Sequence, residues 1–193
     1  LRDWSDGDLY RAITSGVSKD GQPFFPVMPY LNYNHLASED VYSIIAYLRT
    51  LPSIESHPDA SKADFPMNII LHTIPEPPQP MGQAAPGSPE YGAYMVNAAG
   101  CKVCHTKVVN GKEVGEPFAG GFEFQFPDGS IARSSNITPD KLHGIGAWDK
   151  ATFIRKFKLF ADSSYTPATV DWQGQDQQTV MPWMMYAGMT EQD

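Results

Sequence analysis

Three stretches of the chain carry apolar residues at the period of an amphipathic helix. Leu9, Ala12 and Ile13 follow Ser5 and Asp8, which are spaced as a capping box, and the pattern predicts a helix ending near Gly16. Val41, Ile44, Ile45 and Leu48 form a second stripe, opened by Ser38-Glu39-Asp40 and stopped by Pro52. Tyr91, Tyr94, Met95 and Ala98 recur at i, i+3, i+4 and i+7, with Ser88 as N-cap, Pro89 at the first helical position and Gly100 as the stop. Between the second and third helices, residues 51–87 hold eight of the 17 prolines and little helical period. That segment reads as a partly extended connector, either a tether between domains or a flexible spacer. No apolar run approaches the roughly 18 to 20 residues needed to span a bilayer. The opening Leu1-Arg2-Asp3-Trp4 has neither a basic nor an apolar leader character, so the chain as given reads as soluble, without a targeting segment.

Composition narrows this picture. With 17 Pro and 16 Gly among 193 residues, a loop-rich protein is expected, its compact core wrapped by irregular chain rather than built as a long bundle or a wide sheet. The formal charge of −8 repels a phosphate backbone and argues against nucleic acid as a partner.

The two cysteines stand as Cys101-Lys102-Val103-Cys104-His105. They are too close for a long-range staple, which leaves a redox pair, half of a metal site, or anchors for a haem. Thioether attachment needs two thiols spaced for the two vinyl groups of one macrocycle and an adjacent histidine as proximal ligand, and these five residues supply all of it. A structural zinc site needs two more ligands. There is no other cysteine, and His35, His57, His72 and His143 show no paired spacing. A thioredoxin-like pair normally opens a helix after a strand, whereas a helix precedes this one. The haem reading is favoured, with a chance C-x-x-C-H as its plain alternative.

A repeat extends the site. Trp4 is followed seven residues later by Arg11, and Trp148 seven later by Arg155; Met28-Pro29-Tyr30 and Met181-Pro182-Trp183 each place the methionine twelve residues before an aspartate, Asp40 and Asp193. Tryptophan and methionine are 24 apart in the first copy and 33 in the second, which places a nine-residue loop insertion around residues 163–177. A helix equivalent to the one at Ser38 would start at Thr190 to Asp193. A thioether sulfur favours reduced iron and closes its coordination sphere. Met181 is therefore the candidate opposite His105, and Met28 the candidate for another haem; the plain alternative is that both fill a core. Met184, Met185 and Met189 lack a repeated counterpart and read as packing residues.

With Asn136-Ile137-Thr138-Pro139-Asp140, Gly144-Ile145-Gly146, Trp148, Ala119-Gly120-Gly121 and the two Met-Pro-aromatic loops, the sequence resembles the dihaem and multihaem cytochromes c that serve bacterial alcohol, aldehyde and sugar dehydrogenases. The resemblance implies a mainly α fold of small, loop-rich, cytochrome c-like haem domains in tandem, incomplete at both ends. Residues 1–57 would be the C-terminal half of a first domain, 58–87 the connector, and 88–193 a second domain lacking its last helix. The first part lacks its cysteines and proximal histidine, and the second lacks the closing helix expected against Tyr91 to Ala98. A fragment, or halves completed by a partner chain or swapped helix, would explain both gaps. The resemblance also implies that the Pro117 carbonyl receives the other ring nitrogen of His105. It implies haem c at Cys101 and Cys104, a second haem ligated by Met28, a dehydrogenase as electron donor, and a cytochrome, quinone-linked centre or oxidase as acceptor. The location implied is the periplasm or the outer face of the bacterial inner membrane.

Arg11, Arg133 and Arg155 are candidates for haem propionates or plain surface arginines. Trp4, Trp148 and Trp183 either line haem edges or fill the core. The other histidines receive no role, apart from His35 as an alternative ligand near Met28. The leading function is electron transfer without catalysis of its own. A dihaem peroxidase and a haem-free thiol or metal module are the alternatives.

Overall fold

The computed structural model describes residues 3–56, 59, 61–82, 84–161 and 180–193; the expected insertion at 163–177 and His57 lie outside them. The chain forms two compact units, Leu1–Gly100 and Cys101–Asp193. Its architecture is mainly helical, with two short two-stranded hairpins as the sheets among the described residues.

The first unit is built on the predicted helices. Helix α1, Asp6–Ser15, starts with the capping box: the Ser5 hydroxyl accepts from the Asp8 N–H at 3.1 Å, and the Asp8 carboxylate accepts from the Ser5 N–H at 3.0 Å. Gly16 ends it in the left-handed region (φ 67°), and a Cβ at that position would overlap the ring of Tyr30. A single turn, α2, Tyr30–Tyr33, leads to α3, Ser38–Thr50. Val41 and Ile45 of α3 are buried, but Ile44 is exposed. The buried positions are Val41 and, at i+4, Ile45, with Leu48 half-buried at i+7, and the i+3 position falls on the solvent flank.

After α3 come a helical turn α4, Met67–Ile70, a 3-10 turn over Leu71–Thr73, and α5, Pro89–Ala98, which Ser88 caps as expected by accepting from the Tyr91 N–H at 3.1 Å. Tyr94 of α5 joins Leu9, Leu36, Ala37, Val41 and Ile45 in the core. Its hydroxyl accepts from the Ala37 N–H at 3.1 Å and donates to the Asp40 carboxylate. Burial, and next Asp40, push the Tyr94 phenol up to about 12. The packing thus groups α5 with the first unit, whereas the sequence had assigned it to the part beginning at residue 88. The proline-rich segment is also tied down. Buried Asn34 donates through its amide to the Pro77 carbonyl at 2.8 Å and the Glu76 carbonyl at 3.3 Å, and its side-chain oxygen accepts from the Gln79 N–H at 3.0 Å.

The second unit opens with one helical turn, α6, Cys101–Cys104, followed by a hairpin of β1, Val108–Val109, and β2, Lys112–Glu113. Asn110 and Gly111, both at positive φ (51° and 74°), make its two-residue turn, as Asn-Gly does where strand twist demands a primed turn. A second antiparallel hairpin pairs β3, Glu123–Gln125, with β4, Ile131–Arg133. The Asn136 to Gly146 motif then folds on itself. The Asn136 side chain accepts from the Thr138 N–H at 2.7 Å, Asp140 accepts from the N–H groups of Leu142 and His143, and the Ile145 N–H reaches the Thr138 carbonyl at 2.9 Å. A Cβ at Gly144 or Gly146 would overlap the carbonyl of Thr138 or Pro139, so this knot requires glycine at both positions. Helix α7, Lys150–Lys158, is N-capped by Asp149, and a 3-10 turn over Leu159–Ala161 follows it; α8, Trp183–Tyr186, is one turn.

Candidate functional site

The two cysteines occupy the ends of α6, and the His105 N–H continues that helix by donating to the Cys101 carbonyl at 2.9 Å. Cys101, Cys104 and His105 therefore stand at i, i+3 and i+4, on one face of a single turn. Both cysteines are free, half-buried thiols. Burial pushes both thiols above their ordinary pKa; the Cys104 charge adds a smaller upward push on Cys101. That is the opposite of the depressed value a thiol-redox nucleophile needs. Among the described residues no group of three Cys, His, Asp or Glu side chains is placed to hold a metal ion.

His105 is oriented from behind. Its Nδ1 donates to the carbonyl of Ser135 at 2.7 Å, which leaves Nε2 on the opposite edge of the ring. Ser135 reaches this position because three backbone segments lie side by side. The Gly120 N–H donates to the His105 carbonyl at 2.7 Å, the Gly121 N–H to the Ser134 carbonyl at 2.9 Å, and the Ile137 N–H to the Phe118 carbonyl at 2.9 Å. Buried Thr106 fixes the middle segment by accepting from the Phe118 N–H at 3.2 Å. Gly120 has φ 78°, and a Cβ there would lie 2.6 Å from the Ser134 oxygen and the Ser135 carbonyl carbon. Only glycine lets residues 134–136 come this close.

The ring nitrogen that the resemblance had assigned to the Pro117 carbonyl thus faces Ser135. Pro117 itself is exposed, on a turn closed by the Ala119 N–H to the Glu116 carbonyl at 3.1 Å. Ser135, Gly120 and Thr106 are site residues that the sequence reading missed. The Ala119-Gly120-Gly121 signature was the one available signal. At the edge of the site, Lys102 of α6 pairs with Glu113 of β2 at 3.0 Å, anchoring the first hairpin beside the cysteine turn.

Met181 lies in the same compact unit, Met28 in the other, and their loops have the same geometry. In each, a proline in an inverse γ-turn follows the methionine: Pro29 has φ −79°, ψ 47° and Pro182 φ −78°, ψ 58°. In each, the N–H two residues after the methionine donates to the methionine carbonyl at 2.8 Å, from Tyr30 and from Trp183. In each, a one-turn helix follows, and both methionines are half-buried. The helices preceding the loops match as well, with Ser5 and Asp149 as N-caps directly after Trp4 and Trp148. Of the arginines, Arg133 pairs with Glu123 at 2.8 Å, Arg11 donates to the Ser18 and Lys19 carbonyls and pairs with Asp8, and Arg155 reaches Thr152 at 3.5 Å. His35 is engaged with the Gln79 carbonyl at 3.3 Å, and His143 pairs with Asp140.

No family model matches the chain. Among curated proteins it is 33% identical over 150 residues to a diheme cytochrome c-type protein of Cereibacter sphaeroides, covering 72% of this chain and 49% of that protein. It is 34% identical over 160 residues to the fructose dehydrogenase cytochrome subunit of Gluconobacter japonicus, covering 77% and 32% respectively. It is 27% identical over 186 residues to the gluconate 2-dehydrogenase cytochrome c subunit of Pantoea cypripedii, covering 87% and 41%. The chain spans less than half the length of each of these relatives. By sequence, then, it is a homologue of the cytochrome c subunits of bacterial dehydrogenases and of a diheme cytochrome c.

Proposed function

We propose that this chain is an electron-transfer module that holds haem c through thioethers from Cys101 and Cys104, with His105 and Met181 as the axial ligands. The observation that carries this reading is the single face of α6, where two thiols sit one turn apart beside an imidazole whose Nδ1 is already bonded to Ser135. That bond fixes the tautomer, so Nε2 is the atom offered as ligand, and it strengthens the ring as a donor. The donor set of two thiols, one imidazole and a soft thioether fits a c-type haem. It does not fit zinc, for which the described residues offer no further ligands. Bound there, the haem supplies one-electron redox chemistry. The protein's part is to anchor it, hold both ligands and keep the coordination sphere closed.

Met28, in its matching loop, is the corresponding ligand for a second haem in a preceding domain of the tandem. The dehydrogenase relatives support a dehydrogenase as electron donor; on this reading the acceptor is a respiratory centre and the place of work the periplasmic face of the inner membrane. No helix of the described residues is long and apolar enough to cross a membrane.

Haem staining of a denaturing gel tests the attachment. The expected result is a stained band that disappears in the double substitution Cys101→Ser with Cys104→Ser; a stain that persists in that variant refutes attachment here. The ligand set is tested by the far-red absorption of the oxidised protein, where a methionine-ligated haem has a weak band that Met181→Ala should diminish. Rapid peroxide turnover or carbon monoxide binding would point instead to an enzyme with an open coordination position.

A further inference from the structure

We propose that Lys158 is a positioning residue for Met181, a latch that holds the methionine loop closed in the second unit. The inference rests on the assignment of Met181 as an axial ligand. Helix α8, which follows the loop, has only four residues and no side-chain cap at its start, so it cannot persist on its own strength. The carbonyls at its C-cap, Ala187, and just beyond it, Met189, need partners from outside the helix. Lys158, in the last turn of α7, supplies them. Its ammonium donates to the Ala187 carbonyl at 3.1 Å and also to the Met189 carbonyl. A cation placed at a helix C-terminus satisfies the free carbonyls and the helix dipole together.

The same helix grips the loop with its apolar side. The Phe157 ring lies 5.2 Å from Trp183 and 6.2 Å from Tyr186, and Phe160, just past α7, stacks on Trp183 at 5.4 Å with planes 5° apart. Trp183 is the residue whose N–H closes the turn onto the Met181 carbonyl. The path from Lys158 to the methionine therefore runs through one helical turn and one γ-turn.

The first copy lacks this device. The repeat spacing places Thr14 where the second copy has Lys158, and the Thr14 hydroxyl bonds back to the Tyr10 carbonyl of its own helix at 2.7 Å. The end of α2 is instead held through Asn34 to the proline-rich segment. The ionic latch thus belongs to the Met181 loop alone, and it makes the two methionine loops unequal in their resistance to displacement.

The test is an imidazole titration of the oxidised, haem-loaded protein, followed by the far-red band, in the wild type and in Lys158→Met, Lys158→Arg and Lys156→Ala. Met181→Ala identifies the part of the band that belongs to this loop. Lys158→Met keeps the aliphatic stem and removes the charge and both of its bonds, and it should let at least about tenfold less imidazole displace that part. Lys158→Arg should restore most of the resistance. Lys156→Ala, which removes only a cation over Trp148 at 5.7 Å, should match the wild type. Independently of haem, amide exchange over residues 183–189 should quicken about tenfold in Lys158→Met while α1 is unchanged. If Lys158→Met does not accumulate, Lys158→Gln takes its place and should give a smaller shift of the same sign. Unchanged imidazole resistance with unchanged exchange overturns the latch. A far-red band left undiminished by Met181→Ala overturns the ligand assignment instead.

Discussion

At the scale of single residues, the site depends on a glycine as much as on its cysteines. Gly120→Ala would place a methyl group against the Ser134 and Ser135 backbone at a left-handed position, and the 134–136 segment would have to withdraw from His105. The expected cost is about 1–3 kcal/mol of stability. Losing the Ser135 acceptor also weakens the imidazole as a donor, so a redox titration should show a higher midpoint potential. A variant that is destabilised at unchanged potential would mean that the Ser135 bond does not tune the ligand. The Cys101-x-x-Cys104-His105 arrangement was legible because its chemistry and geometry both fit within five consecutive residues. Ser135 was not, since it lies 30 residues from His105 and acts through its backbone carbonyl, which no side-chain pattern reports. The Pro117 expectation missed for the same reason: counting along the chain locates a residue, but the close approach at Gly120 decides which carbonyl arrives.

At the scale of elements, start signals were the most readable feature. Ser5 with Asp8 and Ser88 with Pro89 both act as read, because caps are local hydrogen bonds between neighbours. Ser88→Ala removes the acceptor for the Tyr91 N–H and should cost about 1 kcal/mol by chemical denaturation. The carboxylates at Asp8, Asp140 and Asp149 all accept such local bonds, mainly from Ser5, from the His143 N–H and from Thr152, and each is held below its ordinary pKa of 3.8. A carboxyl depressed in the folded state contributes stability that is complete above its unfolded pKa and is lost as pH falls through the folded value. Thermal melts should therefore decline as pH drops below about 4, and Asp149→Asn should flatten that decline. An identical acid limb in the variant would remove Asp149 from the explanation. The stripe of α3 shows the limit of periodicity, which gave the helix and its buried Val41 and Ile45 but also counted Ile44, which faces solvent. A 3.6-residue period fixes the centre of a face better than its edge.

At the scale of the whole molecule, the mainly helical character and the loop-rich build were legible from periodicity and from proline and glycine content, while the grouping of helices was not. The inward face of α5 was identified, but a face does not name what it meets, and Tyr94 meets Ala37, Asp40 and the first unit's core. Tyr94→Phe leaves the buried Ala37 N–H unsatisfied and should cost the first unit about 1–3 kcal/mol, while haem staining through Cys101 and Cys104 in the second unit is retained. Loss of the stain in that variant would show that the units fold as one. The paired methionine turns carry a further consequence. Since both loops take the same geometry, each can be read position by position against the other. In one copy Gly16 lies beneath the Tyr30 ring, and at the matching positions of the other Phe160 stacks on Trp183. One ring lies over bare backbone and the other against an aromatic face, so each loop is packed for its own neighbour. Exchanging one member alone should therefore damage either loop more than exchanging the pair.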